Sequence, residues 1–343
     1  MKKPLLVLFD GNAIVYRAYH AFQATKTPTV FTVPKTGEIV TAVFGFAQML
    51  LKVINELKPT CYAIAFDTKA PTFRHRMFAQ YKAQRPPTPD ELVNQLGRVR
   101  QLVEAFCIPI YELDGYEADD ILGTLSYQAS EHGVDTIIVT GDADTMQLVL
   151  PEVKVLYPKP RGSFSDTILY DEEAVRQKYG VEPQQIADFK AMVGDPSDNI
   201  SGVLGIGSKT AAKLIQQFGS IDEIYDHIDE VTPARIQAIM RENEDIARQS
   251  KKLTTIDIRA PVTLNLDECQ LSRYDRNKVT ELFRELEFYR LLSKLPEMVG
   301  VTPEVTVKVE TKPPPRRDYH IINTARALDE LLSRLSSAKS LAF

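Results

Sequence analysis

The sequence is poor in the residues that usually mark a metal or redox site. Its 343 residues include only three cysteines, Cys61, Cys107 and Cys269, and five histidines. The cysteines are odd in number, widely spaced and free of any C-x-x-C, which excludes a disulfide framework and a zinc site and fits reduced thiols. The histidines show no pair at ligand spacing. Long apolar runs are also missing, and none approaches the roughly 18 residues of a membrane span. Leu5–Phe9 imitates a signal peptide only until Asp10 cuts it short. A cytoplasmic chain with no membrane partner is expected. Excess positive charge is lacking too. The formal net charge is −5, so a polyanionic partner must be met by a local basic patch.

What the chain does have is carboxylate at recurring places. Leu5–Phe9, Tyr62–Phe66 and Thr136–Thr140 are continuous apolar runs, the pattern of strands buried on both faces. They end in Asp10, in Asp67 and in Gly141-Asp142-Ala143-Asp144. Helical patterns over Ile14–Phe22, Val43–Leu57 and Asp90–Phe106 lie between them. Such alternation predicts an α/β fold with a mainly parallel sheet and helical crossovers, which binds ligands at the carboxyl ends of its strands. Asp10, Asp67, Asp142 and Asp144 then converge on one edge.

One aspartate after a strand is ordinary turn chemistry. Three repetitions are harder to dismiss, and Glu117, Asp119 and Asp120 join them at the start of a further helical pattern. Taken alone, that trio also suits the positive end of a helix dipole. Together, so many carboxylates cannot stay ionised in one cleft without cations. Oxygen donors without His or Cys select hard ions such as Mg²⁺ or Mn²⁺.

Between Lys69 and Arg100 the balance reverses. Lys69, Arg74, Arg76, Lys82, Arg85, Arg98 and Arg100 meet only Asp90 and Glu91, with Phe73, Phe78 and Tyr81 interleaved. A solvated basic face is the bland reading, and the aromatic interleaving favours contact with nucleic acid. Further on, short strands are predicted over Val153–Tyr157 and Thr167–Tyr170, and helices over Asp171–Tyr179 and Pro183–Met192. Gly194-Asp195-Pro196-Ser197-Asp198-Asn199 adds two aspartates. It runs into Gly202, Gly205, Gly207, Ser208, Lys209 and Thr210, a glycine-rich hairpin before another helix. That hairpin is either a tight interhelical turn or a grip on phosphates at a helix N-terminus. Helices follow over Ile221–His227, Pro233–Glu242, Asp245–Leu253 and Asp275–Leu292. Residues 298–317 read as a linker, and 318–343 as the opening strand and helix of a further domain.

These motifs together resemble the 5′-nuclease (flap endonuclease) family, in the form of the 5′–3′ exonuclease domains that precede bacterial DNA polymerases. Leu8-Phe9-Asp10-Gly11, Phe66-Asp67-Thr68-Lys69-Ala70-Pro71-Thr72-Phe73-Arg74, Tyr81-Lys82-Ala83-Gln84-Arg85 and Gly115-Tyr116-Glu117-Ala118-Asp119-Asp120 carry the likeness. So do Gly141–Asp144, Gly194–Asn199 and Gly205–Ala211. The resemblance implies a PIN-like fold with a helical arch over about 69–106 and a helix-hairpin-helix subdomain. It divides the chain into a catalytic domain at 1–180, a DNA-binding subdomain at 181–297, a linker at 298–317 and a truncated 3′–5′ exonuclease-like start at 318–343.

The resemblance also implies the chemistry. Two Mg²⁺ ions, replaceable by Mn²⁺, serve phosphodiester hydrolysis from two clusters. Asp10, Asp67, Glu117, Asp119 and Asp120 form the first, and Asp142, Asp144, Asp195 and Asp198 the second. Lys82 and Arg85 contact the scissile phosphate, assisted by Arg74. Tyr16 either stacks on a base or is a core tyrosine. Arg17, Tyr81 and the hairpin from Gly202 to Thr210 bind DNA, with K⁺ at the hairpin carbonyls. The expected partner of a monomeric enzyme is DNA with a 5′ flap, nick or 5′ end, or an RNA primer–DNA junction. The expected work is primer removal and repair, with no polymerase activity from this stretch. Two positions depart from the family pattern: Ala143 stands where Lys is usual, and Ser201 where Pro is usual. The loss of a cation at 143 should leave the second cluster more negative and alter its metal dependence. A non-catalytic DNA-binding module and a PIN-like ribonuclease are the competing readings.

Overall fold

A computed structural model describes residues 3–23, 30–159, 166–270 and 274–296, with a few single residues between 324 and 336. Met1–Met298 form one compact unit and Val299–Phe343 another. The expected linker lies outside the described residues. So does most of 318–343, where Leu328, Asp329, Leu331, Leu332 and Ser336 are helical.

The three apolar runs are strands: β1 (Leu5–Asp10), β2 (Cys61–Ala65) and β4 (Asp135–Val139). A two-residue β3 (Ile110–Tyr111), too short to show in the sequence, joins them, as do β5 (Val153–Pro158) and β6 (Thr167–Tyr170). The sheet order is β3-β2-β1-β4-β5-β6, parallel throughout except for β6, which runs antiparallel at the edge. The order reverses between β1 and β4, and a crevice opens beyond the strand ends at such a switch point.

Residues along β1 explain why its sequence does not alternate. Leu6 and Leu8 enter one core layer and Val7 and Phe9 the other, and each is at most 1% exposed. The β1 register places Asp10 opposite Ala65, so Asp10 and Asp67 leave the sheet side by side. Gly11 makes the turn into α1 (Gly11–Gln23), because a Cβ there would fall 2.2 Å from the Phe66 ring. Helices α1 and α2 (Thr41–Leu57) cover one face of the sheet. α2 ends where Lys58 turns left-handed (φ 49°) just before Pro59.

The basic segment 69–106 divides into two parts. It begins with the short helix α3 (Phe73–Met77) and a turn, and it ends with α4 (Asp90–Ala105). In α4 the stripe Leu92, Gln95, Val99, Leu102 and Val103 is buried, so this helix belongs to the α2 layer and not to an overhanging arch. On the opposite face lies α5 (Ala118–Glu131). Helices α6 (Glu172–Tyr179), α7 (Ile186–Val193), α8 (Ser208–Phe218), α9 (Ile221–Asp226), α10 (Ala234–Glu242) and α11 (Glu244–Thr254) follow. The predicted single helix over 275–292 is broken into α12 (Arg276–Glu285) and α13 (Tyr289–Leu292), with Glu287 left-handed (φ 59°) at the break.

α7 and α8 flank the glycine hairpin. Gly202 is buried against the backbone of Gly194, where a Cβ would lie 2.3 Å from the Gly194 nitrogen. Its φ of 65° also demands glycine. Gly202 therefore shapes the hairpin and offers no surface to a DNA backbone, contrary to the sequence expectation. Gly205, Gly207, Ser208 and Lys209 are exposed, Thr210 is half-buried, and Leu204 at the tip is 87% exposed. Among the described residues no helix is long and apolar enough to cross a membrane.

Candidate active site

A cleft of about 430 Å³ opens at the carboxyl ends of β1, β2 and β4. Asp10, Asp67, Glu117, Asp119 and Asp142 line it, facing Lys82 and Arg85, with Tyr16 and His20 on the α1 side. Each strand-end aspartate also holds a backbone N–H, Asp10 and Asp142 in their own turns and Asp67 at the start of α5. Asp10 accepts from the Ala13 N–H (2.9 Å) and the Thr140 hydroxyl (2.6 Å). Asp67 accepts from the Ala118 N–H at the start of α5 (2.8 Å), and Asp142 from the Asp144 N–H (2.9 Å). Turn chemistry and site chemistry are therefore the same side chains.

Burial sets the electrostatics. It pushes the Asp10 carboxyl up to about 7, against the hydrogen bonds from Thr140 and Ala13 and with the charges of Asp67 and Asp142. Burial also raises Asp67 and Asp142. Asp119 is raised well above the usual carboxylate range, by burial first and then by Asp142, Asp10 and Glu117. Its carboxylate makes no hydrogen bond or ion pair among the described residues.

The cations come from a turn, residues 78–86, that docks on the loop 195–199. Lys82, left-handed at φ 55°, donates its N–H to the Asp198 carbonyl (3.0 Å). Gln84 and Asn199 tie the same two segments together through Pro196 O and Gln80 O (2.6 and 2.7 Å). Lys82 Nζ meets Glu117 at 2.7 Å and Asp198 at 3.7 Å. Arg85 pairs with the other Asp198 oxygen at 2.5 Å. Burial opposes the charge on Lys82, yet Glu117 and Asp198 outweigh it and hold the ammonium above its ordinary value. The buried Tyr81 hydroxyl contacts Asp198 (2.8 Å) and Glu117 (3.0 Å). It thus bridges the two acidic groups and is not an open DNA contact.

Lys190 of α7 binds Asp144 and, at 2.8 Å, Asp195. Burial works against ionised Asp195, and Lys190 with Ser197 still brings its carboxyl below the usual value. A cation from α7 thus meets the second acidic group although position 143 is alanine.

Two further assignments change. Arg74 and Asp120 lie outside the cleft. They form a bidentate pair at 2.7 and 2.8 Å, 2% and 0% exposed respectively. Of the three remaining Arg74 N–H protons, two go to Leu253 O (2.9 Å) and Thr255 O (2.8 Å), and Nη1 also lies 3.3 Å from the Glu117 carboxylate. Asp120 accepts in addition from the Glu117 and Asp257 N–H groups (3.0 and 2.8 Å). Asp120 has no oxygen left for an ion, and Arg74 has no proton left for a phosphate. Arg17 likewise does not line the cleft and donates to Lys159 O (2.7 Å). Sequence reasoning missed Asn12, which receives the Asp67 N–H (3.3 Å), and also His20, Thr140 and Lys190. Of these only Asn12 and Thr140 carried a signal, by adjoining strand-end aspartates.

The cleft fits a divalent cation on its donor set. Five carboxylates face two basic side chains, His20 is the single imidazole in the lining, and among the described residues Asp119 makes no hydrogen bond or ion pair. Among the described residues no three acidic, His or Cys side chains close into an ion-holding group, because Lys82, Arg85 and Lys190 hold several of them.

Arg74→Met should cost about 3–5 kcal/mol in urea unfolding, because it leaves Asp120 buried without its partner; a loss below about 1 kcal/mol would refute a structural role. A pH effect follows from the raised carboxyls. Their contribution to stability is complete below the unfolded value near ~4 and is lost as pH rises through about 7 for Asp10. In EDTA at pH 8, Asp10→Asn, which keeps an acceptor oxygen for the Ala13 N–H, should therefore raise Tm by roughly 2–4 °C, with little gain at pH 5. Thermal scans at both pH values check this, and equal gains would contradict it.

Two family profiles match the chain. One, described as 5′-3′ exonuclease, N-terminal resolvase-like domain, covers residues 5–180; the other, 5′-3′ exonuclease, C-terminal SAM fold, covers residues 181–277. DNA polymerase I of Chloroflexus aurantiacus is 43% identical over 373 residues, covering 100% of this chain and 38% of that protein. The Bacillus subtilis DNA polymerase I is 39% identical over 292 residues, 85% of this chain and 32% of that one. The chain thus spans about a third of the length of these curated relatives. A structure of T5 5′-exonuclease with bound divalent zinc superposes with TM-score 0.61 at 18% identity, covering 83% of this chain and 98% of that one. The catalytic core of Rad2 in complex with a DNA substrate gives 0.53 at 15% identity, covering 82% and 87%. At such identities the solved structures carry the fold alone. With both domains matched end to end, the chain belongs to the 5′–3′ exonuclease family.

Proposed function

We propose that the chain is a metal-dependent, structure-specific 5′ nuclease that hydrolyses DNA phosphodiesters, as 5′–3′ exonuclease and 5′-flap endonuclease. It would act in the cytoplasm as the N-terminal part of a DNA polymerase I, in primer removal and repair. The observation that carries the reading is the convergence of Asp10, Asp67, Glu117, Asp119 and Asp142 on one cleft faced by Lys82 and Arg85.

Asp10, Asp67, Glu117 and Asp119 would hold one Mg²⁺, and Asp142, Asp144, Asp195 and Asp198 the other, with Mn²⁺ as a substitute. Bound ions supply Lewis acidity at the scissile phosphodiester and lower the pKa of the attacking water. Lys82 and Arg85 do the chain's own work. In the absence of substrate their charges rest on Glu117 and Asp198. An entering phosphate takes over these cations and leaves the two carboxylates free. Tyr16, held to Thr88 through its hydroxyl, offers its ring at the cleft wall for a terminal base. The exposed hairpin at Gly205, Gly207, Ser208 and Lys209, with Thr210, would grip duplex phosphates, with K⁺ at its carbonyls. This divides the monomer into a catalytic part at 1–180 and a duplex-binding part at 181–297.

A 5′-flap duplex incubated with Mg²⁺ should be cut at its junction, and EDTA should stop the reaction. Lys82→Ala should lower kcat by about 10²-fold or more with the duplex still bound; binding without cleavage by the unmodified chain would overturn the reading in favour of a DNA-binding module. Because Lys190 already neutralises the second group, Lys190→Ala should shift the Mg²⁺ titration more than Ala143→Lys does. Titration of cleavage rate against metal compares them, and identical curves for both variants would refute the compensation.

A further inference from the structure

A second groove of about 810 Å³ lies on the far side of α3 and shares no lining residue with the catalytic cleft. Its floor is apolar, from Phe73, Met77 and Ile258; Met77 is 46% and Ile258 36% exposed. Its rim sets Arg248, Lys251, Lys252 and Arg259 against Asp222 and Asp257. Arg248 and Lys251 are held there by Asp222 at 2.6 and 2.8 Å. Lys252 and Arg259 are exposed, and their side chains make no hydrogen bond or ion pair among the described residues. In a chain of net charge −5, this concentrates uncommitted positive charge beside exposed apolar surface.

One layer of protein separates groove and cleft. The Arg74 guanidinium binds Asp120 on the cleft side, next to Asp119, and Thr255 O on the groove side (2.8 Å). Its plane also covers one face of the Phe73 ring at 4.4 Å. A strand leaving the cleft over α3 would reach this groove directly.

We propose that the groove docks the displaced 5′ single strand of the substrate, with its phosphates on Lys252 and Arg259 and its bases on Phe73, Met77 and Ile258. Only unpaired nucleotides present both elements together. Duplex bases keep their faces stacked inside the helix, whereas a single strand exposes flat apolar faces at every step along a charged backbone. A polyglutamate chain would match the rim charges and leave the apolar floor without a partner.

The kinetic part of this proposal rests on the nuclease reading; the binding part does not. The double variant Lys252→Glu/Arg259→Glu changes exposed positions outside the catalytic cleft, and its thermal unfolding should match that of the unmodified chain. In EDTA, fluorescence anisotropy should show it binding labelled oligothymidylate at least about fivefold more weakly. With Mg²⁺, KM for a long 5′ flap should rise by a similar factor, while kcat and KM on a nicked duplex without a flap stay unchanged. Met77→Ser should weaken oligothymidylate binding with no change in its salt dependence, since it removes floor and not charge. Unchanged binding in the double variant would overturn the proposal, as would an equal loss on flapped and nicked substrates or a competition by polyglutamate as strong as by oligothymidylate. Binding that depends on Lys252 and Arg259, in a chain that cleaves no substrate, would uphold the groove and remove the nuclease reading instead.

Discussion

The pair between Arg74 and Asp120 is the interaction on which the rest of the site depends. It is fully removed from water, and it joins three segments that are distant in the chain: α3, the first turn of α5, and residues 253–257. Glu117 and Asp119 enter the cleft from that same first turn, so their direction is set by a contact lying behind them. A buried ion pair is weak evidence for net stability. Here its role is geometric, because four additional hydrogen bonds leave neither partner an alternative orientation.

The same pair shows where sequence reading stops. Strand ends were legible because an apolar run that closes on aspartate carries its own signal, and Asp10, Asp67 and Asp142 do line one cleft. The cluster at 117–120 was over-read. Glu117, Ala118 and Asp119 line the cleft in succession, and a further rotation of about 100° turns Asp120 back onto Arg74. Asp119 faces the cleft and Asp120 the interior, a division that depends on where α5 packs and not on residue type. Lys190 was invisible for a similar reason: nothing local to α7 says that its ammonium meets Asp144, nearly fifty positions earlier. Gly202 shows the converse error, since a glycine in a glycine-rich turn reads as surface until the backbone behind it is known.

The turn at 78–86 connects chemistry to packing. It carries Tyr81, Lys82 and Arg85, and its docking on 195–199 rests on backbone and amide contacts that do not involve the charges. The position of the basic groups is thus set independently of what they neutralise. They can exchange a carboxylate for a phosphate without any rebuilding of the turn that presents them.

The double duty of the strand-end aspartates restricts how such a site can be lost. Asp10 and Asp142 each cap the turn that follows its strand, and Asp67 holds the Ala118 N–H at the start of α5. A drift to alanine at any of them removes a charge from the cleft and also frees a buried backbone N–H, so it costs folding as well as chemistry. A drift to asparagine keeps an acceptor oxygen for the cap and is the gentler route. Inactive descendants of this fold should therefore carry amides where the activity once needed carboxylates, and an oxygen acceptor should outlast the charge at positions that bear the turn.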